Sequence, residues 1–308
     1  MKSSTSIVVV LLYVNSLVAE FIPRHTREVF TRNLRWTATA ATTLTAFSRS
    51  EKVLASAPPP KAPTSLLNRI SERDSLTLEP GLLEGDVYYP SWLEGTWRTS
   101  STCKSVFAPL GIEAFGGERV WRAAQADLNQ TLVYTTRFIG EEQSGSTIAD
   151  RLYNVESIAR SAIGFDAILP TKQPDKNVAR RLHVVMAPAA SREIYDVDLY
   201  PTDRFSQAID GLKFACFERT AQLISTRMEQ LANEASGKMN RPFRKDIETI
   251  SIYSYISVDG EDRVLSTQRT ATFLTRADAR FARLLPTNPG VEDHAIDIRL
   301  YDIVYERV

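Results

Sequence analysis

Cysteine and histidine are scarce in this chain of 308 residues, which contains two cysteines and three histidines. Two cysteines cannot form a disulfide-dense scaffold. His25 lies in the N-terminal segment, and the remaining His183 and His294 are too few for the usual zinc site without carboxylates. We therefore expect no metal site, and we interpret His183 as a strand histidine and His294 as a surface one.

The chain also lacks an excess of charge of one sign, because 37 Lys and Arg residues balance 37 Asp and Glu residues. A protein without a basic excess gains little from attraction to phosphates, so we expect no nucleic-acid partner. The apolar run at residues 7–14 is far shorter than the roughly 20 residues that a membrane-spanning helix needs.

Sequence motifs of common enzyme classes are missing, since there is no G-x-S-x-G, no phosphate-binding G-x-x-x-x-G-K-[ST] and no H-E-x-x-H. Gly116-Gly117 predicts a turn. Asp196 and Asp198 alternate with apolar residues, and we expect them to face water. The sequence therefore indicates no catalytic residue and no cofactor. It favours a non-enzymatic function, although an enzyme built on a barrel stays open.

The first 57 residues have the composition of targeting segments. Residues 1–20 have the pattern of a signal peptide. Residues 21–57 are rich in arginine and hydroxyl residues, poor in acids, and end in an A-x-A cleavage signal at 55–57. Phe21 after the signal peptide resembles the layered presequence of plastid proteins in algae with secondary plastids, diatoms among them, although Glu20 replaces the usual alanine. This resemblance implies a plastid location, and the second cleavage signal favours the thylakoid lumen over the stroma.

The rest of the chain divides into a proline-rich linker or arm, residues 58–86, and a compact domain, residues 87–308. The arm has a helix-compatible stretch around residues 65–70. In the domain, apolar and polar residues alternate with the period of a β-strand, as in Tyr195, Val197 and Leu199. We predict strands near residues 95–107, 119–123, 131–138, 154–163, 183–187, 192–200, 212–216, 249–258, 263–274 and 295–307.

Few segments have helical periodicity, and residues 226–236 are the best candidate for a helix. Asp259-Gly260 is a dipeptide favoured in tight hairpin turns. A long sheet has costly open edges unless it closes on itself. The predicted fold class is therefore all-β, an antiparallel β-barrel of roughly eight to ten strands with few short helices and a disordered N-terminal presequence. A two-sheet sandwich is the alternative.

The sequence LEGTW at residues 93–97 resembles the Gly-x-Trp signature of lipocalins. This resemblance implies a lipocalin-like barrel in which Gly95 and Trp97 lie at the barrel floor beneath an arginine from a late strand. Arg299 on the last strand is the expected partner, and Arg307 is the alternative. The Thr-Asp-Tyr turn of that family is missing here.

A longer resemblance extends from about residue 88 to the end of the chain. The segments YPSWLEGTWRTSST (89–102), APLG (108–111) and RLYNVESI (151–158) are similar to a family of uncharacterised proteins from plastids and cyanobacteria. The domain of that family has no assigned function. The resemblance implies a photosynthetic lineage and contributes no catalytic residue.

Cys103 and Cys216 have two interpretations that the sequence leaves open. Both lie in strand-like surroundings, where a free cysteine behaves as a small buried apolar residue. An oxidising lumen would instead permit a disulfide between them. We favour two free thiols.

Aromatic residues are numerous enough to line an apolar cavity, although aromatic side chains on strands are usually plain core. Those considered are Trp92, Trp97, Trp121, Tyr134, Phe138, Tyr253 and Tyr255. The leading hypothesis is a non-enzymatic plastid protein that binds a hydrophobic small molecule such as a lipid, pigment or quinone. The alternative is a soluble factor that docks on a photosynthetic membrane complex during assembly or repair.

Overall fold

The computed structural model describes residues 66–71, 86–141, 145–164, 166, 168–169, 181–187, 194–227, 242–258, 260–288, 291 and 293–308. Its helices are α1 (Leu66–Arg69), α2 (Ile112–Phe115), α3 (Glu118–Ala126), α4 (Arg151–Ile163) and α5 (Ala279–Leu284), with a 3-10 turn at Ser91–Leu93. Its strands are β1 (Gly95–Phe107), β2 (Thr131–Gly140), β3 (Thr147–Ala149), β4 (Ile168–Leu169), β5 (Leu182–Met186), β6 (Tyr195–Asp210), β7 (Lys213–Thr226), β8 (Phe243–Val258), β9 (Glu261–Phe273) and β10 (Ala295–Arg307). The predicted signal peptide (1–20) and the predicted transit segment (21–57) lie outside the described residues.

The strands form one antiparallel sheet in the order β3-β2-β1-β10-β9-β8-β7-β6-β5-β4. The last strand pairs with the first long one, so that Trp97 lies opposite Arg307 and Val106 opposite Arg299. The sheet curls into a half-barrel, and within the described residues no pairing joins its edge strands β3 and β4. The all-β class with few short helices is confirmed. Within the described residues these two edge strands have three and two residues, and short edges are one way natural sheets limit the exposure of unpaired backbone.

Alternation along each strand puts one face of the sheet on the concave, inner side. On β1 the buried residues Trp97, Thr99, Ser101 and Cys103 follow one another at every second position. The main apolar core lies on this side and includes Trp97, Tyr134, Phe138, Val197, Tyr253 and Tyr301. Tyr195, Val197 and Leu199 lie on this inner face, as predicted, with Asp196 and Asp198 on the opposite one.

Helix α4 covers the edge of the sheet next to β2. Ser157 Oγ accepts a hydrogen bond from Thr135 N at 3.0 Å. The Asn154 carboxamide pairs with both backbone groups of Arg137, at 2.7 and 3.1 Å. These side chains satisfy the β2 backbone where β3 no longer pairs with it. The same helix also contacts β4 and β5 at the other edge, so it lies across the opening of the half-barrel.

The predicted strand at residues 154–163 is therefore wrong, because this segment belongs to α4. The buried residues Val155, Ile158 and Ala159 have the i, i+3, i+4 spacing of one helical face. Asp150 caps the helix by accepting from Tyr153 N, and Gly164 ends it with a positive φ.

The predicted strand at 119–123 is also wrong, since it lies in α3. Gly117 precedes α3 with a φ of 88°, a conformation that favours glycine and breaks any extended run from the preceding residues. Of the predicted helix 226–236, Thr226 is the last residue of β7, and residues 228–236 lie outside the described residues. Asp259 of the predicted hairpin turn lies outside them too, whereas β8 and β9 pair as that turn requires.

Part of the predicted arm packs on the convex, outer face of the sheet. Leu66 on α1 is buried against Ala215, Phe217 and Ile250. Arg69 on the same helix lies 3.4 Å from Glu248, and Glu248 lies 3.0 Å from Arg269 with both of those side chains fully buried. These contacts attach α1 to the middle strands.

Candidate ligand-binding site

A cavity of about 180 Å³ lies between the concave face of the sheet and helix α4, and it opens to solvent on one side. The helix contributes Arg151, Asn154, Val155 and Ile158 to its wall. The remaining lining residues come from the segment before β1 and from eight strands: Val87, Tyr89, Tyr134, Thr136, Phe138, Ala149, Leu182, Leu199, Pro201, Cys216, Glu218, Thr220, Thr249, Ser251, Tyr253, Gln268, Ile303 and Tyr305. Most of this lining is apolar or aromatic, as in pockets for small molecules.

One wall of the cavity is a cluster of aromatic rings around Tyr89. The Tyr89 ring lies 4.9 Å from the Phe138 ring in an edge-to-face arrangement, and 6.0 Å from the Tyr253 ring. Tyr305 continues the cluster at 6.0 Å from Tyr253. Tyr89 is held in place because its backbone N–H donates to Thr147 O at 2.8 Å. These rings form a fixed apolar surface with polar tips.

A second wall carries a network of four charged side chains. Arg151 contacts Asp86 at 2.5 Å and Glu218 at 2.7 Å. Arg204 contacts the same two acids, Glu218 at 3.2 Å and Asp86 at 3.5 Å. Two cations and two anions therefore balance each other. Burial alone lowers the pKa of Arg151, but Glu218 and Asp86 more than offset this, so its pKa is raised and its charge is secured.

The floor of the cavity carries a polar pair on neighbouring strands. Gln268 on β9 lies directly opposite Ser251 on β8, and Gln268 Nε2 donates to Ser251 Oγ at 2.9 Å. Gln268 Oε1 is buried and has no hydrogen-bond partner among the described residues. A buried polar atom without a partner is uncommon in folded proteins.

The titratable hydroxyl and thiol groups of the cavity stay protonated at neutral pH. Burial raises the pKa of Tyr89, Tyr253 and Tyr305 well above the usual tyrosine value. Burial also raises the pKa of the Cys216 thiol to about 12. The cavity therefore offers neutral hydrogen-bonding groups and no activated nucleophile at neutral pH.

The Gly-x-Trp residues form a separate arrangement at one end of the β1–β10 pair. Trp97 is fully buried, its Nε1 donates to Leu93 O at 2.7 Å, and the Arg307 guanidinium lies 4.2 Å from the centre of its indole ring. Gly95 has a φ of 120°, and a Cβ there would collide with Nη1 of Arg307. Glycine is thus required both for the backbone conformation and for the approach of the arginine.

Arg307 therefore takes the position over Trp97 for which Arg299 was the expected partner. Arg299 lies on β10 opposite Val106, which follows Trp97 by nine residues on β1. It is buried there and pairs with Asp297 at 3.1 Å and with Asp127 at 3.3 Å. Pairing register decides between the two arginines, because it determines which residue of the last strand lies beside Trp97. The relationship to lipocalins stays a prediction.

Cys103 and Cys216 are both free, buried thiols. Three strands, β10, β9 and β8, lie between their strands in the sheet. Only Cys216 lines the cavity.

Three of the seven aromatic residues considered from the sequence line the cavity, namely Tyr134, Phe138 and Tyr253. Gly95, Trp97 and Arg299 are not part of its lining. Arg151, Glu218 and Gln268 also line the cavity, and they were not predicted from the sequence as site residues. Strand alternation was a usable signal for Gln268, because it lies four residues from the inward-facing Val264 on β9. No local signal brings Arg151 and Glu218 together.

The convex face carries a polar cluster around His183. His183 Nδ1 lies 2.8 Å from Asp198, and its Nε2 lies 3.5 Å from Asp196. In the part of the chain that the structure describes, no group of three or more His, Cys, Asp and Glu residues is arranged to hold a metal ion. None of the helices in that part is long and apolar enough to cross a membrane.

The fold and the cavity together define an antiparallel half-barrel protein with a small, mostly apolar interior site. The chain belongs to the family defined by a domain of unknown function, DUF6816, which matches residues 81–288. This confirms the predicted membership of a family without assigned function, and the match begins within the predicted arm. Comparisons with curated proteins and with solved structures found no match.

Proposed function

We propose that this protein binds a small hydrophobic molecule in the cavity between α4 and the concave face of the sheet. The observation that carries the proposal is the cavity of about 180 Å³ with its aromatic and aliphatic lining, in the interior of a well-packed protein. A concave site that is lined mostly by apolar and aromatic side chains, with a few polar groups among them, is the usual form of a small-molecule pocket.

The size of the cavity restricts what it can hold. An apolar cavity of about 150 Å³ is large enough for benzene, whereas pockets that enclose drug-sized ligands begin at about 300 Å³. A single ring with a short substituent fits within 180 Å³. A lipid, pigment or quinone would place one end in the cavity and extend the rest through the open side.

Filling the cavity from the helix tests this proposal. Ile158 on α4 lines the cavity and is 7% exposed. We expect Ile158→Phe to abolish the binding of propylbenzene and of a short-chain quinone to delipidated protein, measured by titration calorimetry, because the added ring occupies the site. Ser161→Phe, at an exposed position of the same helix, is the matched control and should bind as the wild type does.

The proposal fails if neither probe binds to the wild type, or if the Ile158→Phe variant binds both probes with the affinity of the wild type. Purification from thylakoids distinguishes the docking alternative. A stoichiometric membrane complex without any bound small molecule would favour that alternative.

We also propose that the protein acts in the plastid, with the thylakoid lumen favoured over the stroma. The support is the composition of residues 1–57 and the position of Phe21. Fused to a fluorescent protein in a diatom, residues 1–57 should direct it to the plastid, whereas Phe21→Ala should divert it. Secretion or cytosolic fluorescence of the unmutated fusion would contradict the proposal. For the full-length protein, cleavage after Ala57 is expected in the lumen.

A further inference from the structure

Strand β9 presents an unusual row of polar side chains to the inside of the half-barrel. Ser266, Gln268 and Thr270 occupy alternate positions there and are 5%, 7% and 0% exposed. Each has a buried side-chain oxygen with no hydrogen-bond partner among the described residues. Burial of such groups costs free energy unless a partner is supplied. The row therefore indicates where a polar group of a ligand would be stabilised.

Of these three residues, Gln268 is the one that lines the cavity. Its Nε2 is already engaged, because it donates to Ser251 Oγ at 2.9 Å. The unsatisfied atom is Oε1, a carbonyl oxygen that can only accept a hydrogen bond. A ligand that satisfies it must therefore bring a donor, an O–H or an N–H, to the floor of the cavity.

The charged wall of the cavity excludes an anionic ligand group. Arg151 and Arg204 are both paired with Asp86 and Glu218, so the network has no cation to spare. Of these acids, Glu218 lines the cavity, so a carboxylate or phosphate entering it would meet a fixed negative charge while both arginines are already paired with acids. An ammonium group is disfavoured for the corresponding reason, since both acids are already neutralised. The ligand group at this site is therefore neutral.

We propose that the cavity binds a neutral apolar ring that carries a hydroxyl group, and that this hydroxyl donates a hydrogen bond to Oε1 of Gln268. The inference rests on the proposed function and specifies the chemistry of the ligand. The ring packs against the aromatic wall around Tyr89 and Phe138, and the hydroxyl points to the floor. Phenols and ring-hydroxylated isoprenoid compounds belong to this class, whereas fatty acids and phosphate-bearing headgroups do not.

Three probes that share a para-substituted propylbenzene framework test the inference by titration calorimetry with the delipidated protein. Para-propylphenol carries the hydroxyl, para-propyltoluene replaces it by a methyl group, and para-propylanisole keeps the oxygen but loses the donor. Gln268→Met preserves side-chain length and removes both polar atoms. We expect this substitution to lower the affinity for para-propylphenol by about fivefold, which corresponds to the loss of one hydrogen bond. The affinities for para-propyltoluene and para-propylanisole should not change.

Gln222→Met is the matched control. Gln222 on β7 is fully buried, both of its amide atoms lack partners among the described residues, and it does not line the cavity. This variant should bind all three probes as the wild type does. A loss of para-propylphenol affinity in both variants would mean that the effect is not specific to Gln268 and would overturn the inference.

The remaining outcomes separate this inference from the proposed function. If Gln268→Met changes the affinity for the phenol and the toluene by the same factor, the hydroxyl contact is refuted while binding in the cavity stands. If para-propylanisole loses affinity as much as the phenol does, the ligand oxygen acts as an acceptor and the donor class is wrong. If no probe binds to the wild type, the proposed function itself fails and this inference falls with it.

Discussion

Gly95 illustrates how much of this fold depends on single residues. Its missing side chain leaves room for the Arg307 guanidinium, which donates to Glu94 O at 2.5 Å and lies over the ring of Trp97. A cation over an indole face is attracted by the ring electrons. One glycine, one tryptophan and one arginine thus fasten the last strand to the segment that precedes the first.

The two thiols give a prediction at the residue scale. Burial raises the pKa of Cys103 to about 11 and that of Cys216 to about 12, so neither forms much thiolate at neutral pH. Without reductant, we expect a colorimetric thiol reagent to titrate two thiols per chain in denaturant and to react only slowly with the native protein. A denatured sample without reactive thiols would instead show the disulfide.

The same pKa shifts determine the sign of the pH dependence. In the unfolded chain a cysteine loses its proton near its ordinary pKa of 9.0, whereas the native thiols keep theirs to higher pH. Between about pH 9 and pH 12 the unfolded state therefore binds fewer protons, and the free energy of unfolding falls as pH rises. The stabilising effect is fully present below pH 9.

At the scale of elements, α4 replaces the strand pairing that would have closed the barrel. Helix side chains hydrogen-bond to the exposed backbone of β2 at Thr135 and Arg137. The sequence predicts a barrel because a long sheet has costly open edges unless it closes on itself. The side chains of Asn154 and Ser157 on α4 satisfy this edge instead. The cavity lies between the same helix and the concave face of the sheet.

Helix α1 gives the prediction that belongs to this scale. Leu66 is 2% exposed against the convex face, whereas its neighbour Leu67 is 43% exposed. We expect Leu66→Ala to lower the free energy of unfolding by about 2 to 4 kcal/mol, because it leaves a cavity under the helix. Leu67→Ala should change it by less than about 0.5 kcal/mol. Urea unfolding measures the free energy of unfolding of both variants. Equal values for the two variants would show that α1 does not pack stably against the sheet.

At the scale of the whole molecule, the charged network joins parts of the chain that are distant in sequence. Asp86 and Arg151 are 65 positions apart, and Arg151 and Glu218 are 67 apart. The network therefore connects Asp86, which lies just before the predicted domain, to helix α4 and to strand β7. A boundary drawn at residue 87 from composition cuts through it, because composition does not report contacts.

Much of the architecture was predictable from local pattern. The first and last strands, Gly95–Phe107 and Ala295–Arg307, occupy the predicted residues, and the inward face of β6 follows the alternation of Tyr195, Val197 and Leu199. Residues 154–163 belong to α4 and not to the predicted strand, although Val155 and Ile158 have the spacing of one helical face. Of the residues that line the cavity, Tyr134, Phe138 and Tyr253 were predicted as candidates because they are aromatic residues on strands.

What the sequence by itself determined is the alternation that makes a strand and selects its buried face, since successive side chains of a strand must point to opposite sides of the sheet. Only the tertiary structure decided that Arg307 and not Arg299 lies over Trp97, that Arg151 reaches Glu218, and that Gln268 faces an open space. Each of these depends on the register and curvature of strands brought together from distant parts of the chain, and those are set by the packing of the complete sheet against α4.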